Sequence, residues 1–447
     1  MTGPVRRLHP LTPLVRGWKA YAAFAVVVGQ QVGLERHGGA RIAAYALLAA
    51  LPVAALLGWL GWRTTSFGFD GEDLRIDSGL LVRRSRRIRL DRLQAVDVVR
   101  PLLARLAGLA ELRLEVAGGG KQAEGGLAYL GEADALALRA ELLARAAGVA
   151  RDDRPGAAPA EPEEHLLHEV PTRRYVASLL LQGGTVVGLL LVGVAVALAV
   201  VLRTPELLVT VLPPLVVPAH TVLVRGQADA LFAVAGSAAG LRLRHGLFET
   251  RHQTVPPGRV QAVRVVEPLL WRRRGWVRLE VTVAGYGKEA TVQTGTLLPV
   301  VPAATGWDLV DRVLGAEVGE HPGARTVPLA PPGPRARWLD PLAAPVLGAG
   351  ADDQLLVVRT GALRRVTTVV PHAKVQSTAL LQGPVQRRLG LASLEVHVAP
   401  TLRVRARHRA TAEAGALLVG EVERARTARR VARSERWAEA PVEQPPG

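Results

Sequence analysis

Apolar and polar positions follow three rhythms along this chain. In the first, apolar residues run on without a charge, at 42–62 and 176–202. Each has a weaker apolar neighbour: 18–34 carries Gln30 and Gln31, and 207–224 carries Pro213, Pro214, Pro218 and His220. A helix crossing the hydrocarbon core needs about 20 apolar residues. The pattern predicts two helical hairpins, 18–62 and 173–225, each with a short charged turn at 35–41 or 203–206. The second rhythm is alternation, which predicts strands. It runs through 74–82, 88–90 and 112–116, where Leu112, Leu114 and Val116 alternate with Arg113 and Glu115. The third is helical: 131–148 spaces Leu136, Leu138, Leu142 and Leu143 for one face of a helix, and 307–314 and 411–430 are further helix candidates.

The alternating text occurs three times in one ungapped frame. Gly79, Gln94 and Gly108 recur as Gly246, Gln261 and Gly275, and again as Gly361, Gln376 and Gly390. Arg92, Arg259 and Lys374 keep step before the glutamine, and Arg105, Arg272 and Arg387 before the second glycine. Leu112, Leu279 and Leu394 also hold the frame, as do Val116, Val283 and Val398. Seven positions held three times, six of them identical, mark a duplicated module, a run of strands closed by one helix. Gly79, Gly246 and Gly361 read as hairpin turns, and Gly108, Gly275 and Gly390 as helix ends or tight turns. The recurring glutamine is either a ligand contact or an amide capping backbone groups at a strand end.

The expected layout is an N-terminal segment 1–17, a hairpin 18–62, a first module 63–150 and a linker 151–172. A second hairpin 173–225 and a second module 226–316 follow. A Pro/Gly linker 317–350, a third module 351–430 with no hairpin before it, and a polar tail 431–447 expected to be disordered complete the chain.

Charge adds direction. The chain has 447 residues, 49% hydrophobic, with formal net charge +17. Arg6, Arg7, Arg16, Lys19, Arg63, Arg173, Arg174 and Arg225 flank the hairpins on one side, whereas Arg36, Arg41 and Arg203 stand in the turns. The positive-inside tendency places the N-terminus and all three modules in the cytoplasm of a multi-pass protein. Trp18, Trp59 and Trp62 fall where an interfacial aromatic belt is expected. Nucleic acid is disfavoured as a partner by the hairpins, by 4% aromatic content and by the lack of a reader motif. No cysteine is present, which excludes disulfides, thiol catalysis and thiolate metal sites.

The densest charge cluster is Arg83, Arg84, Arg86, Arg87, Arg89 and Arg92. Guanidinium groups pair with phosphate in two-pronged fashion, so one reading is a phosphate or headgroup surface. A general attraction to an anionic leaflet is the second reading, and a solvated sheet face is the third. The cluster is not shared by the sister copies. The recurring Arg105, Arg272 and Arg387 are candidates for a structural or headgroup-facing position.

Catalytic motifs fail. Gly118-Gly119-Gly120-Lys121 lacks the earlier glycine and the following Ser or Thr of a phosphate loop. His165 and His168 have helical ligand spacing but no third ligand, and Leu166 stands where a zincin needs Glu. Asp352-Asp353 and the acidic run 161–164 lack partners for acid–base work. The expectation is a protein that is not an enzyme and holds no metal or cofactor.

Three strings carry a resemblance: 8–19 (LHPLTPLVRGWK), 370–377 (VPHAKVQS) and 382–390 (QGPVQRRLG). With them, the chain resembles the bacterial pleckstrin-homology-like membrane proteins of the YdbT type, over nearly its whole length outside the linkers and tail. The resemblance implies membrane α-helical hairpins plus three α+β PH-like domains, each a strongly bent antiparallel sheet of seven strands capped by a C-terminal helix. It also implies a homo- or hetero-oligomer with a related, smaller membrane protein. The expected role is binding and scaffolding at the inner leaflet of the bacterial plasma membrane, with anionic lipids as partner, in envelope maintenance or stress defence. The rivals are a protein-interaction platform and a transporter or lipid-translocating subunit. The last is disfavoured because no charged residue lies inside the spans, only His220 coming close.

Overall fold

A computed structural model describes residues 6–13, 52, 56, 58–70, 73–79, 84–90, 93–116, 125–146, 165–204, 206, 209–210, 212–237, 240–255, 258–283, 295–399 and 402–431. The expected span 18–34, most of 42–62, Arg83, Arg92, the Gly118–Lys121 loop, the linker residues 151–164 and the tail beyond Val431 lie outside them. The chain divides into two compact units. The first comprises 1–160 with 249–253 and 437–447, and the second 161–248 with 254–436.

In the first unit, β1 (Arg6–Arg7), β2 (Ser66–Asp70), β3 (Asp73–Ser78) and β4 (Arg84–Arg89) form one antiparallel sheet in that order. Next come β5 (Leu93–Pro101), a short α1 (Leu102–Leu106), β6 (Leu109–Val116), β7 (Gly125–Gly131) and α2 (Glu132–Ala146). Strand β6 pairs with both β5 and β7. Alternation sets which face is inside: Leu112 and Leu114 are buried while Glu111 and Arg113 stay partly exposed. On α2, Ala135, Leu138 and Leu142 share one face and enter the core with Phe67, Leu74, Ile88, Val96 and Val98. Glu132 and Asp134 sit in its first turn and Arg145 in its last, the arrangement the helix dipole favours. Each fully buried Leu or Phe contributes about 1.5–3 kcal/mol.

The second unit holds the other two copies. Its first elements are β8 (His165–Glu169), α3 (Thr172–Leu180), α4 (Gly183–Leu202) and α5 (Leu212–His220), with a π-turn at Thr221–Arg225. Strands β9 (Ala233–Ser237), β10 (Gly240–His245) and β11 (Glu249–Val255) follow, the first five residues of β11 grouping with the first unit. The second copy closes with β12 (Val260–Pro268), α6 (Leu269–Arg272), β13 (Trp276–Val283), β14 (Thr296–Pro302) and α7 (Ala303–Val318). The third copy has β15 (Gly348–Ala351), β16 (Leu355–Thr360), β17 (Arg364–Pro371), β18 (Ser377–Leu381), α8 (Pro384–Arg388), β19 (Leu391–Ala399), β20 (Leu402–Ala410) and α9 (Thr411–Val431). The repeat frame carries β3 onto β10 and β16, and β6 onto β13 and β19. The expected single bent sheet is instead divided in each copy, because the earlier strands and the last three belong to different sheets.

The hairpin regions stand inside the sheets rather than before them. Strand β1 pairs with β2 (Arg7↔Ser66) and β8 with β9 (Glu169↔Ala233), so each module starts ahead of its apolar insertion. In the third copy the same place is taken by the bridge Ala330↔Ala349. Residues 317–350, expected as a linker, are therefore a packed part of the module. Ala324, Val327, Ala336, Ala344 and Leu347 are buried, and 3-10 turns at Ala324–Thr326 and Pro334–Trp338 shape the segment.

Among the described residues one helix, α4, is long and apolar enough to cross a membrane. The expected continuous span 176–202 is broken: Leu181 ends α3, and Gln182 takes an extended backbone before Gly183. Helix α3 is amphipathic and buries Tyr175, Ser178 and Leu179. In the partner segment 207–224 the described residues are helical from Leu212 on, and the helix changes type within it. Its nine-residue α5 contains Pro218, which lacks the N–H an inner turn requires, and a π-turn follows. Helix α5 packs on α4 at Gly188, where a Cβ would lie 2.6 Å from the Pro214 carbonyl oxygen and 2.8 Å from the Pro218 ring.

Candidate functional site

The arginine strand does not present one patch. Successive side chains on a strand point to opposite faces. On β4, Arg84 and Arg86 share a face with Ile88, which is buried in the core, while Ser85, Arg87 and Arg89 take the other. Arg84, Arg87 and Arg89 are exposed and Arg86 is half-buried. Cross-strand neighbours temper the charge: β3 places Arg75 opposite Arg87, Asp73 opposite Arg89 and Asp77 opposite Ser85. A hydrogen bond from Ser85, and then the Arg75 guanidinium 3.0 Å away, hold the Asp77 carboxyl below the usual carboxylate range. This face offers arginines with acids interleaved, suited to an extended anionic surface more than to one enclosed phosphate.

The three recurring arginines stand at the ends of α1, α6 and α8. Arg105 and Arg387 are exposed. Arg272 donates to the carbonyls of Ala362 and Leu363, at 2.5 and 3.3 Å, in the turn between β16 and β17. It thus ties the second copy to the third. Strand β12 pairs along β17, with Pro268↔Arg364 and Val265↔Thr367. Arg364 reaches Glu280 at 3.1 Å, Arg365 reaches Glu267 at 3.7 Å, and Lys374 Nζ donates to the Gly258 carbonyl at 2.5 Å. The apolar core is continuous here, since Leu355, Val357 and Val369 join Val263, Val265 and Leu279.

The glutamines share a sequence position, but Gln261 and Gln376 do not share an environment. Gln94 lies on β5; Gln261 is buried, its amide 3.5 Å from the Arg259 carbonyl; Gln376 is exposed. No common ligand contact follows from them. The later glycines do share a geometry: Gly108, Gly275 and Gly390 have φ of 67°, 62° and 68°, each just after a short helix. That left-handed conformation explains why glycine stands there. Gly79, Gly246 and Gly361, in the turns after β3, β10 and β16, also have positive φ.

His165 and His168 lie on β8, a strand, so their helical ligand spacing has no meaning there. Burial, then Arg174, lowers the His168 pKa. Among the described residues no group of three His, Asp or Glu is placed to hold a metal. An apolar cleft of about 450 Å³ between α4 and α5 is lined by residues such as Leu191, Val194, Leu198 and Pro214, none of them titratable. The most enclosed histidine–carboxylate contact among the described residues is structural: His372 Nδ1 and Glu421 Oε1 are 2.8 Å apart, with both side chains buried. His372 Nε2 also lies 3.1 Å from the Asp352 carbonyl oxygen. The pair clamps α9 onto the turn after β17.

Three segments, 22–146, 178–315 and 349–424, each match the bacterial PH domain. The chain belongs to the bacterial PH domain family. The first two segments begin inside the apolar insertions, at 22 and 178, and run on into the closing helices α2 and α7. The chain is also similar to the UPF0699 transmembrane protein YdbT of Bacillus subtilis (strain 168), 24% identical over 284 residues. That match spans 57% of this chain and 57% of the relative. No solved structure matches.

In the third PH domain the structure exposes a basic stripe that the sequence reading passed over. Arg403, Arg405 and Arg407 alternate with buried Val404 and Ala406 along β20. Their strict period of two was legible in the string 402–410 (LRVRARHRA). Glu395 on β19 neutralises part of the stripe: Arg405 and then His397 hydrogen-bond its carboxylate and hold its pKa low. Arg407 extends beyond that cluster to solvent.

Proposed function

We propose that this chain is a non-enzymatic integral membrane protein whose cytoplasmic PH domains bind and scaffold at the inner leaflet, in envelope maintenance or stress defence. The observation that carries the proposal is the splicing of α4 into a PH-domain sheet. Its 20 residues expose Val187, Leu190, Val194, Val200 and Val201, and α3 joins it directly to β8. An apolar helix bare on most sides belongs in hydrocarbon, since water gives it no compensation. A domain tied to such a helix is held at the bilayer surface. Basic residues there gain about 1 kcal/mol each from an anionic leaflet. Arg84, Arg87 and Arg89, with Arg403 and Arg407, are the contacts this reading assigns. The description of the Bacillus relative as a transmembrane protein supports it.

The test uses the full chain in nanodiscs. The sequence has no cysteine, so Ser85→Cys gives one attachment point for an environment-sensitive dye beside the arginines. Its emission should shift when zwitterionic lipid is replaced by anionic lipid, and the shift should disappear at high salt or with Arg84, Arg87 and Arg89 changed to alanine. Emission indifferent to lipid charge sinks the lipid reading. Topology is tested separately: in sealed cells a cysteine at Thr204 should be labelled from outside and one at Ser85 should not, and the reverse pattern overturns the orientation.

A further inference from the structure

Strand additions occur twice with one register. In the second unit β12 receives β17, pairing Pro268↔Arg364, Val266↔Val366 and Val265↔Thr367. In the first unit β5 receives the segment Glu249–His252, pairing Pro101↔Glu249, Val99↔Arg251 and Val98↔His252. The frame that carries Gln94 to Gln261 and Gln261 to Gln376 carries Pro101 to Pro268 and Glu249 to Arg364. It maps each pair of one ladder onto a pair of the other. Two independent ladders that coincide this way define a repeatable interface between a β5-type strand and a β4-type strand.

The same frame identifies what is unused. The β5-type strand of the third domain is β18, and it is the outer strand of its sheet, paired only with β19 among the described residues. The β4-type strand of the first domain is β4 itself, also the outer strand of its sheet. Strand β18 (STALL) has no charge and no proline, and Leu380 is 41% exposed. Exposed edges without such protection are templates for strand addition. The next residues carry the rest of the interface. Arg272 caps the incoming turn at Ala362 and Leu363, and its counterpart Arg387 stands exposed on α8 with no side-chain hydrogen bond among the described residues.

We propose that a second copy of this chain adds its β4 to β18, in the register of the two internal ladders, with Arg387 capping the turn before β4. The frame then sets Arg84 opposite Leu381, Ser85 opposite Leu380 and Arg86 opposite Ala379. Because the two surfaces differ, the contact is head-to-tail, and each copy keeps a free edge for the next. Continuity with the internal interface argues for this occupant. Within the described chain, β4 is the strand of its type that the repeats leave at a sheet edge. The proposal concerns backbone pairing and does not rest on lipid contact, since the arginine side chains project from the sheet faces.

The experiment mixes full-length Leu380→Cys chains with full-length Ser85→Cys chains in detergent without added lipid, under mild oxidation. Opposed strand residues stand about 4.5–5.5 Å apart, within disulfide reach. A disulfide-linked dimer should form in the mixture, several-fold above either variant alone. Arg89→Cys in place of Ser85→Cys, displaced by roughly 13 Å along the strand, should give several-fold less. Ala379→Pro should suppress the dimer by breaking the edge. Should that proline loosen β18 itself, Arg387→Ala on exposed α8 tests the same contact without touching the strand, and it should also lower the yield several-fold. Cross-linking as strong at Arg89, a chain that stays monomeric by light scattering, or a dimer indifferent to Arg387→Ala would each overturn the proposal.

Discussion

Replacing Glu421 by alanine should loosen the third domain far more than replacing it by glutamine. His372 and Glu421 are 0% and 1% exposed, and their contact joins α9 to the turn after β17. His372 Nε2 faces a carbonyl oxygen, which only accepts, so Nε2 carries a proton. Nδ1 faces a carboxylate oxygen, so one further proton is shared between ring and acid. Alanine removes the partner of Nδ1 and leaves a void. Breaking a buried pair this way costs about 3–5 kcal/mol. Glutamine can donate its amide hydrogen to an unprotonated Nδ1 and fills nearly the same volume. Since Glu421 Oε2 has no hydrogen-bond partner, Glu421→Gln gives up little there and should cost about 1 kcal/mol or less. In a cooperative unit of this size, 1 kcal/mol moves the midpoint by roughly 2–4 °C, so alanine should lower it by about 10 °C. Thermal unfolding of the full chain, read by tryptophan fluorescence, checks this. Equal losses for Ala and Gln, or an alanine midpoint within a degree of the parent, would refute the shared-proton clamp.

Asp97 is half-buried overall, but its Oδ1 is closed from solvent without a hydrogen-bond partner, and burial raises its pKa to about 7 against the pull of Arg139, Arg251 and Arg113. The folded pKa exceeds the unfolded one, so stability is greatest below pH 4 for this group and declines as pH rises towards 7. Asp97→Asn should flatten that decline and raise the midpoint at pH 8, and a chemical-denaturation series across pH measures it. Gly188→Leu should separate α4 from α5, because even a Cβ would meet the Pro214 carbonyl at 2.6 Å; overpacking of this kind costs about 1–3 kcal/mol, and faster proteolysis near Thr204 reports it. At Gly108 and Gly275 nothing stands within 4 Å of an added Cβ, so alanine there should cost only the left-handed backbone term, about 1–2 kcal/mol, and nearly the same in both domains. A large difference in midpoint shift between Gly108→Ala and Gly275→Ala would mean packing matters at one of them.

The repeat frame was legible because the fold constrains backbone at fixed places: a left-handed glycine after each short helix and alternating apolar residues on β6, β13 and β19. The capping helices were legible too, since 131–148 and 411–430 enclose or nearly match α2 and α9. Other readings failed for physical reasons. The span 176–202 reads as continuous because it carries no charge, yet the polar Gln182 and the glycines after it separate an amphipathic helix from a bare one. The segment 317–350 has linker composition, yet the Arg409 guanidinium, buried beneath it, bonds the Ala330 carbonyl at 2.8 Å and fixes it to the sheet. The arginine run looked like one cluster because sequence proximity hides the two faces of a strand.

By itself the sequence determined that one module is written three times, that each ends in a helix, that the chain is basic, and that apolar segments accompany two of the copies. These are properties of local pattern, carried by periodicity and composition. Tertiary structure alone decided that the apolar segments interrupt the sheets, that each module's strands divide between sheets, and that a β4-type strand adds to a β5-type strand in one shared register. Backbone pairing between distant strands depends on N–H and C=O groups that every residue carries, so no residue pattern announces which edges will meet.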